Sequence, residues 1–494
     1  MPANSWPESD SYNELDAIGS LLSDAVNAAP GGSIQENVDL SDSKESDDST
    51  QHSGVETLPT SLPSCYQGRR RKAAVVLTIV WSGTLALHLV SWGSWFVLGL
   101  TTMFGIHALR IVFARPRGEP ETMADNPLMD YPYVSLLVAA KNEEAVIGNI
   151  VRVLCSQDYP MERYEVWIID DNSSDQTPVL LEKLVQEYHQ LKVLRRDSGA
   201  SGGKSGALNQ VLPLTHGEIL AVFDADAQVS SDLLRRVLPL FQRGAVGAVQ
   251  VRKAIANPQE NFWTQGQAAE MALDAYVQQQ RIAFGGIGEL RGNGQFVRRT
   301  ALERCGGWNE ETITDDLDLT FRLHLDQWDI EILTCAAVEE EGVTRVNALW
   351  HQRNRWAEGG YQRYLDYWRL IASNRLGTRK TFDLFIFLLI QYILPTAQVP
   401  DLVMAIARNR PPVLSPFTGL AMTVSMVWMF MGLKRVGSNR AFPFVLLLQT
   451  LRGTIYMFHW LVVMASTTAR ISVRPKRLKW VKTVHQGDKK ERAA

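Results

Sequence analysis

The chain predicts an α/β domain with a mostly parallel sheet, set between α-helical transmembrane segments. Three observations carry that reading. Short apolar runs alternate with helix-period stretches from about residue 130 to 340. Two apolar stretches of spanning length precede this region, and three further apolar segments follow it. At 494 residues with 46% hydrophobic content, the chain has room for two or three domains, part soluble and part membrane-embedded.

The net charge of −3 conceals an asymmetry. Residues 1–65 carry twelve Asp/Glu against Lys44 alone, and the remainder is net basic. An acidic, Ser-rich leader poor in aromatics cannot bury enough apolar surface to order itself, so a disordered tail is expected there. Cys65, Cys155, Cys305 and Cys335 show neither a CxxC pair nor metal-ligand spacing, which predicts reduced, mostly buried thiols of a cytoplasmic domain. No signal-peptide pattern precedes the first apolar run.

Residues 69–115 read as a transmembrane helical hairpin. The stretches 73–93 and 94–114 each approach the roughly 20 apolar residues that a spanning helix needs. Trp92, Gly93 and Trp95 mark a turn at the interface. Arg69-Arg70-Arg71-Lys72 precede the hairpin, and Arg115 and Arg117 follow it. The charge rule therefore puts both outer ends, and the domain that follows, in the cytoplasm.

From 130 to 358 the strand candidates are 134–140, 166–170, 191–196, 219–226 and 246–251. Helix-like stretches near 144–155, 176–189, 205–212 and 231–242 lie between most of them. Such alternation predicts a sheet covered by helices on both faces. Ligands of such sheets gather at the carboxyl ends of the strands, where Lys141-Asn142-Glu143, Asp170-Asp171 and Asp224/Asp226 fall.

Residues 359–377 carry Tyr361, Tyr364, Leu365, Trp368 and Ala372 at helical spacing, with Arg363, Asp366 and Arg369 between them. An amphipathic helix lying in the membrane interface is expected. Apolar segments follow at 382–407, 416–433 and 443–466, within a C-terminal transmembrane region 382–466. The tail 470–494 holds nine Lys/Arg and two acids, which suits an anionic cytoplasmic membrane face. Three full spans would carry that tail to the far side. One segment is therefore expected to be re-entrant, interfacial or split, with the proline-containing 382–407 as the candidate.

The polar motifs of the α/β region point to chemistry on a nucleotide diphosphate. Asp224-Ala225-Asp226 ends the apolar run ILAVFDAD, and carboxylates one residue apart on a strand share a face. Both are expected to converge on Mg²⁺ (or Mn²⁺) bridging a diphosphate. Lys204 lies in the Gly-rich SGASGGKSGALN, a loop leading into a helix as phosphate sites do. A Walker A loop would need glycine at 198, which is Ser198, so Lys204 is read as a diphosphate contact.

Asp170-Asp171 close VWIIDD before the turn NSSD, where either aspartate could accept the imide N–H of uracil. In TITDDLDL, Thr314 reads as an N-cap that puts Asp315 and Asp316 in a first helical turn. That position favours an ionised carboxylate, as a general base requires. In Gln352-Arg353-Asn354-Arg355-Trp356, Arg355 suits a leaving diphosphate and Trp356 a sugar or lipid edge. Each motif alone has a plainer reading as a turn, a cap or an interface anchor. Together they predict a membrane enzyme that moves a sugar from a nucleotide diphosphate to an acceptor.

On these motifs, residues 130–370 resemble the GT-A domain of family 2 inverting glycosyltransferases, including the membrane-bound cellulose- and hyaluronan-synthase-like branch. The resemblance implies a nucleotide aspartate at Asp170-Asp171 and a metal DxD at Asp224 and Asp226. It also implies a catalytic base at Asp316 and a QxxRW signature at Gln352, Arg355 and Trp356. The family's TED reads TDD here, and few segments flank the domain, which argues against a long polysaccharide pore. Read with WSGTLALHLVSWG, GGIGELRGNGQF and RPKRLKWVKTVH, nearly the whole chain resembles the cyanobacterial β-monoglucosyldiacylglycerol synthases.

That resemblance implies glucose transfer from UDP-glucose to the free hydroxyl of 1,2-diacylglycerol, with inversion. It further implies a multi-pass protein of a cyanobacterial plasma or thylakoid membrane, with anionic lipid around it and no nucleic acid. A processive β-glucan or hyaluronan-type synthase is the nearest rival. A non-catalytic transporter or scaffold is the rival of another class, and Arg452 with the Pro395/Pro400 break is the only hint of it.

Overall fold

The computed structural model describes residues 68–123, 131–437 and 443–473. The acidic leader and the basic tail beyond 473 lie outside the described residues.

Helix α1 (Arg69–Leu89) and helix α2 (Gly93–Val112) form the first pair, joined at Val90–Trp92. A Cβ on Gly93 would strike the Leu87 carbonyl, so the turn needs glycine there. Trp92 and Trp95 are exposed beside that turn, as interfacial aromatics would be.

The α/β domain runs β1 (Val134–Ala140), α3 (Ile147–Cys155), β2 (Tyr164–Asp170), α4 (Thr177–Glu187), β3 (Leu191–Arg195), α5 (Gly203–Val211) and β4 (Ile219–Phe223). It continues with α6 (Leu233–Val237), β5 (Val246–Ile255), α7 (Phe262–Phe284), β6 (Gln295–Arg298), α8 (Arg299–Arg304), α9 (Asp315–Leu325) and β7 (Asp329–Glu340). The sheet order is β3-β2-β1-β4-β6-β5-β7, with β6 antiparallel to both its neighbours and all other pairs parallel. Ala140 pairs with Asp170 and Val138 with Phe223, so β1, β2 and β4 end side by side. One apolar core packs α3, α4 and α6 on one sheet face, and a second packs α5, α8 and α9 on the other. Burial on both faces explains the near-continuous apolar strands.

All five strand candidates form strands, and β6 and β7 are additional. β6 is only four residues long and follows the Gly-rich 285–294. Of the described cysteines only Cys155 is buried; Cys305 is half-buried and Cys335 exposed.

Helix α10 (Val346–Ala372) is one 27-residue element that contains both the QRNRW pentamer and the amphipathic stretch. Its expected role as an interfacial helix needs correction. Tyr361, Tyr364, Leu365 and Tyr367 are buried within the protein, against Phe321 of α9 and residues of the C-terminal helices. The Tyr361 and Tyr392 rings stack at 5.4 Å, and Phe321 meets Tyr364 edge-on at 5.3 Å. Asp366 receives Arg69 of α1 at 2.7 Å. An apolar stripe reports that one helix face is covered, and here protein covers it. Of the predicted stripe, Trp368, at 49%, and Ala372 are exposed.

The C-terminal helices are α11 (Thr378–Leu388), a π-helical turn (Leu389–Ile393), α12 (Leu394–Ala407), α13 (Ser415–Val436), α14 (Pro443–Met457) and α15 (His459–Val473). The run Thr378–Ala407 is continuous, and the π turn precedes Pro395, where a missing N–H must be absorbed. The proline-containing segment is therefore not the broken one. The break lies in 443–473, where Phe458 separates two 15-residue helices, each shorter than a span. Polar contacts pin that break: Tyr456 Oη donates to Glu270 at 3.1 Å, and Trp460 Nε1 to the same carboxylate at 2.7 Å. Among the described residues, four helices are long and apolar enough to cross a membrane: Arg69–Leu89, Gly93–Val112, Thr378–Ala407 and Ser415–Val436.

Candidate active site

The carboxyl ends of β1, β2 and β4 open into a cavity of about 640 Å³. Its polar end is lined by Lys141, Asp171, Lys204, Asp224, Asp226, Lys253, Arg291, Asp315, Asp316, Gln352, Arg355 and Trp356. The same cavity continues without a break among apolar side chains of the candidate spans, including Phe104, Phe387, Ile390, Leu394, Ala421, Met422 and Trp428.

The structure separates the two aspartates that close β2. Asp171 lines the cavity, held by Arg196 at 2.5 Å and approached by Lys141 at 3.4 Å. Asp170 is 1% exposed and turned away, its Oδ1 accepting the Ser173 N–H at 3.0 Å. It organises the turn after the strand rather than the cavity wall.

Arg196 also ties that wall to the Gly-rich loop, donating to the carbonyls of Ser201 at 2.5 Å and Gly203 at 3.2 Å. Gly202 and Gly203 both have positive φ, 81° and 55°, a backbone path that non-glycine residues adopt only under strain. That path delivers Lys204 into the first turn of α5. Its Nζ donates to Asp224 Oδ1 at 2.6 Å. Burial favours the neutral amine, but the charges of Asp224, Asp315 and Asp316 outweigh it and hold Lys204 protonated well above its ordinary value. Asp224 answers in kind. Burial acts to raise its pKa, and Lys204 more than reverses this, holding the carboxyl below its usual range.

Asp224 and Asp226 lie in the turn just beyond β4, where Ala227 N–H closes onto the Asp224 carbonyl at 3.1 Å. Strand alternation therefore does not explain their convergence; the turn does. Asp226 accepts the Glu341 N–H at 3.2 Å. Among the described residues no group of three or more His, Cys, Asp or Glu side chains gathers to hold a metal alone. A divalent cation on a diphosphate needs only one or two carboxylates, the phosphates and waters supplying the rest, and this pair fits that chemistry.

Asp316 sits in the first turn of α9. Thr314 occupies the N-cap position, yet its hydroxyl makes no capping bond. The helix terminus is expected to keep Asp316 ionised near neutral pH; enclosure in the cavity and then the Asp315 charge push its pKa up to about 6, which leaves it mostly ionised there and more basic than an ordinary carboxylate. The Gly-Asn-Gly turn 292–294 lies between Asp316 and Asp224. A Cβ on Gly292 would meet Asp316 Oδ2 at 3.4 Å, and Asn293 Oδ1 accepts the Asp224 N–H at 3.2 Å.

Helix α10 brings Gln352, Arg355 and Trp356 to the opposite wall. Gln352 Oε1 is buried and takes no hydrogen bond. Burial lowers the Arg355 pKa, and Asp224, Asp316 and Asp315 counter that loss. Trp356 meets two cations, Lys253 at 5.4 Å and Arg353 at 4.2 Å from the ring centre. Lys253, not singled out from the sequence, pairs with Glu340 at 2.7 Å. Its signal was present: a lysine just past an apolar strand run, at an edge where ligands gather. Glu289 is fully buried, and although burial acts to raise it, Arg363, Arg291 and Arg281 hold it well below the usual range. Arg281 reaches on to Asp383 of α11 at 2.8 Å, so an ionic chain docks the domain on the helices.

Residues 132–359 match the family model described as glycosyltransferase like family 2. The chain is 67% identical over 491 residues to the β-monoglucosyldiacylglycerol synthase of Trichormus variabilis, covering 99% of both chains. It is 61% identical over 425 residues to that of a Synechocystis species, covering 85% of this chain and 89% of that one. Among solved structures it is similar to a mannosyltransferase of Pyrobaculum calidifontis, with 20% identity, a TM-score of 0.47, and coverage of 77% and 99% of the two chains. A match sustained through the flanking apolar helices as well as the α/β domain leaves one conclusion: this chain belongs to the β-monoglucosyldiacylglycerol synthases, within the glycosyltransferases of family 2 type.

Proposed function

We propose that this enzyme moves glucose from UDP-glucose to the free hydroxyl of 1,2-diacylglycerol, with inversion, giving β-monoglucosyldiacylglycerol. The observation that carries this reading is the single cavity that joins the carboxylate and lysine cluster to apolar side chains of the candidate spans. A water-soluble acceptor has no need of that second half. The naming of the cyanobacterial relatives supports the same acceptor.

In this reading Asp316 takes the proton of the acceptor hydroxyl as that oxygen attacks the anomeric carbon. The new C1–O bond forms as the bond from C1 to the UDP oxygen breaks, and attack from the opposite face inverts the centre. A carboxylate of pKa about 6 is well matched to this task, ionised at neutral pH yet basic enough to accept a proton. Lys204 and Arg355 stabilise the departing UDP, and Asp171, fixed by Arg196, receives the uracil end. Asp224 and Asp226 would hold Mg²⁺ or Mn²⁺ on the diphosphate, and the ion when bound would neutralise leaving-group charge. Gln352 and Trp356 complete the donor wall.

The four candidate spans among the described residues support a multi-pass protein, and the basic residues flanking α1 and α2 support a catalytic domain in the cytoplasm. The direct test supplies purified enzyme in lipid vesicles with labelled UDP-glucose and diacylglycerol. An organic-soluble lipid with a β-anomeric proton coupling is expected. An alcohol-insoluble polymer, or an α-linked product, would refute the proposal.

A further inference from the structure

The π-helical turn Leu389–Ile393 interrupts a helix long enough to span the membrane, and such turns are frequent at functional sites. At its centre stands Gln391, on a cavity wall that it shares here with Phe387, Ile390, Tyr392, Leu394 and Pro395. Its Oε1 is buried and takes no hydrogen bond. A glutamine amide left unpaired in apolar surroundings is costly, and leucine would fill the same wall without that cost. The amide is thus suited to a ligand rather than to the fold.

The place of the turn says which part of a ligand reaches it. Gly360 of α10 lies between the π turn and the catalytic helix. A Cβ there would strike the Tyr392 hydroxyl and meet Leu317 Cδ1 at 3.6 Å. Leu317 follows Asp316 directly, so the Gln391 turn adjoins the turn that carries the base. A lipid whose hydroxyl reaches Asp316 and whose chains lie among Ala421, Met422 and Trp428 passes its glycerol esters by this point.

Resting on the diacylglycerol reading above, we infer that Gln391 reads the ester head of the acceptor, its amide N–H₂ donating to an ester carbonyl. Ester carbonyls only accept hydrogen bonds, so they leave the hydroxyl free for Asp316. The amide oxygen is the buried atom, turned into the wall, and this leaves Nε2 as the end of the amide that faces the lipid. Gln391 is in this account a specificity residue rather than a catalytic one.

The experiment compares diacylglycerol with its diether analogue, which lacks both carbonyls, on the full-length enzyme in vesicles. For the wild type, KM for the diether is expected to exceed that for the diester by roughly three- to tenfold, the worth of one neutral hydrogen bond. Gln391→Leu should raise KM for the diester to the diether value and erase the difference, with kcat and UDP-glucose hydrolysis kept within about twofold. Gln391→Met, closer in shape, should do the same and guards against a folding defect in the first variant. Persistence of the ester preference in either folded variant overturns the inference, as does a kcat loss equal for both lipids. A wild type that glucosylates neither lipid overturns the acceptor reading itself, and this inference with it.

Discussion

Nζ of Lys204 lies 2.6 Å from Oδ1 of Asp224, so the lysine of the Gly-rich loop rests on the first carboxylate of the DxD. A diphosphate arriving with a cation would draw Lys204 to its own oxygens while Asp224 would turn to the ion, and donor binding and the DxD would then be linked through one side chain. Lys204→Met is expected to weaken UDP-glucose binding roughly 10- to 100-fold, the loss of one charge-assisted hydrogen bond. Asp224→Ala and Asp226→Ala should each lose activity together with the Mg²⁺ dependence of UDP affinity. Titration calorimetry with and without Mg²⁺ checks all three. An unchanged metal dependence in either aspartate variant removes that residue from the ion.

The two aspartates at the end of β2 are expected to behave oppositely. Asp171 faces the cavity, so Asp171→Asn should raise the KM for UDP-glucose with little change in thermal stability. Asp170 supports the turn through Ser173, and Asp170→Ala should lower stability by about 1–3 kcal/mol, the cost of leaving a buried donor unpaired. Its donor KM should hold. The reverse pattern, read from melting curves and Michaelis profiles, would exchange the two assignments.

This contrast marks where sequence stops being legible. The run VWIIDD announces a strand end and two acids, but side-chain direction at the turn depends on Arg196, which arrives from beyond β3. The parallel strands were legible because burial on both faces leaves unbroken apolar runs. β6 was not, since four residues antiparallel to their neighbours carry no periodic signal. The stripe of α10 was seen correctly as amphipathic and assigned to the wrong surroundings. Periodicity shows that a face is buried, while the identity of what buries it, here Phe321, Tyr392 and Val463, is tertiary information. The break in the last apolar segment was invisible for the same reason, because Glu270 pins it from far along the chain.

A base of pKa about 6 sets the acid limb of the rate profile. Asp316 must be ionised to accept a proton, so kcat/KM should be level above about pH 7 and fall roughly tenfold per unit well below pH 6. Burial and then the Asp315 charge raise this pKa. Asp315→Asn removes the second cause, so the limb should move to lower pH while the plateau persists. Asp316→Asn should cost roughly 10²- to 10⁴-fold in kcat and leave UDP binding intact. A limb that stays in place in Asp315→Asn would mean that another group governs the profile.

The apolar half of the cavity gives the sharpest test of a lipid acceptor. Replacing Tyr364 and Leu365 would not serve, because both are buried in the protein and their loss would damage the fold as a whole. Ala421 and Ser425 are better placed. They lie one helical turn apart on α13 and line the cavity among Met422, Val424 and Trp428, away from the charged cluster. Ala421→Phe and Ser425→Trp each project bulk into space that the acyl chains would use. The void is large enough to receive one ring without the 1–3 kcal/mol typical of overpacking a filled core. Transfer to long-chain diacylglycerol should fall about tenfold or more. Hydrolysis of UDP-glucose by water uses only the polar end and should stay within about twofold. Shortening the acyl chains should restore part of the lost transfer, since a smaller lipid fits the reduced volume. An equal fall in transfer and hydrolysis would mean that α13 supports the donor site, whereas undiminished transfer would show that lipid reaches Asp316 by another route.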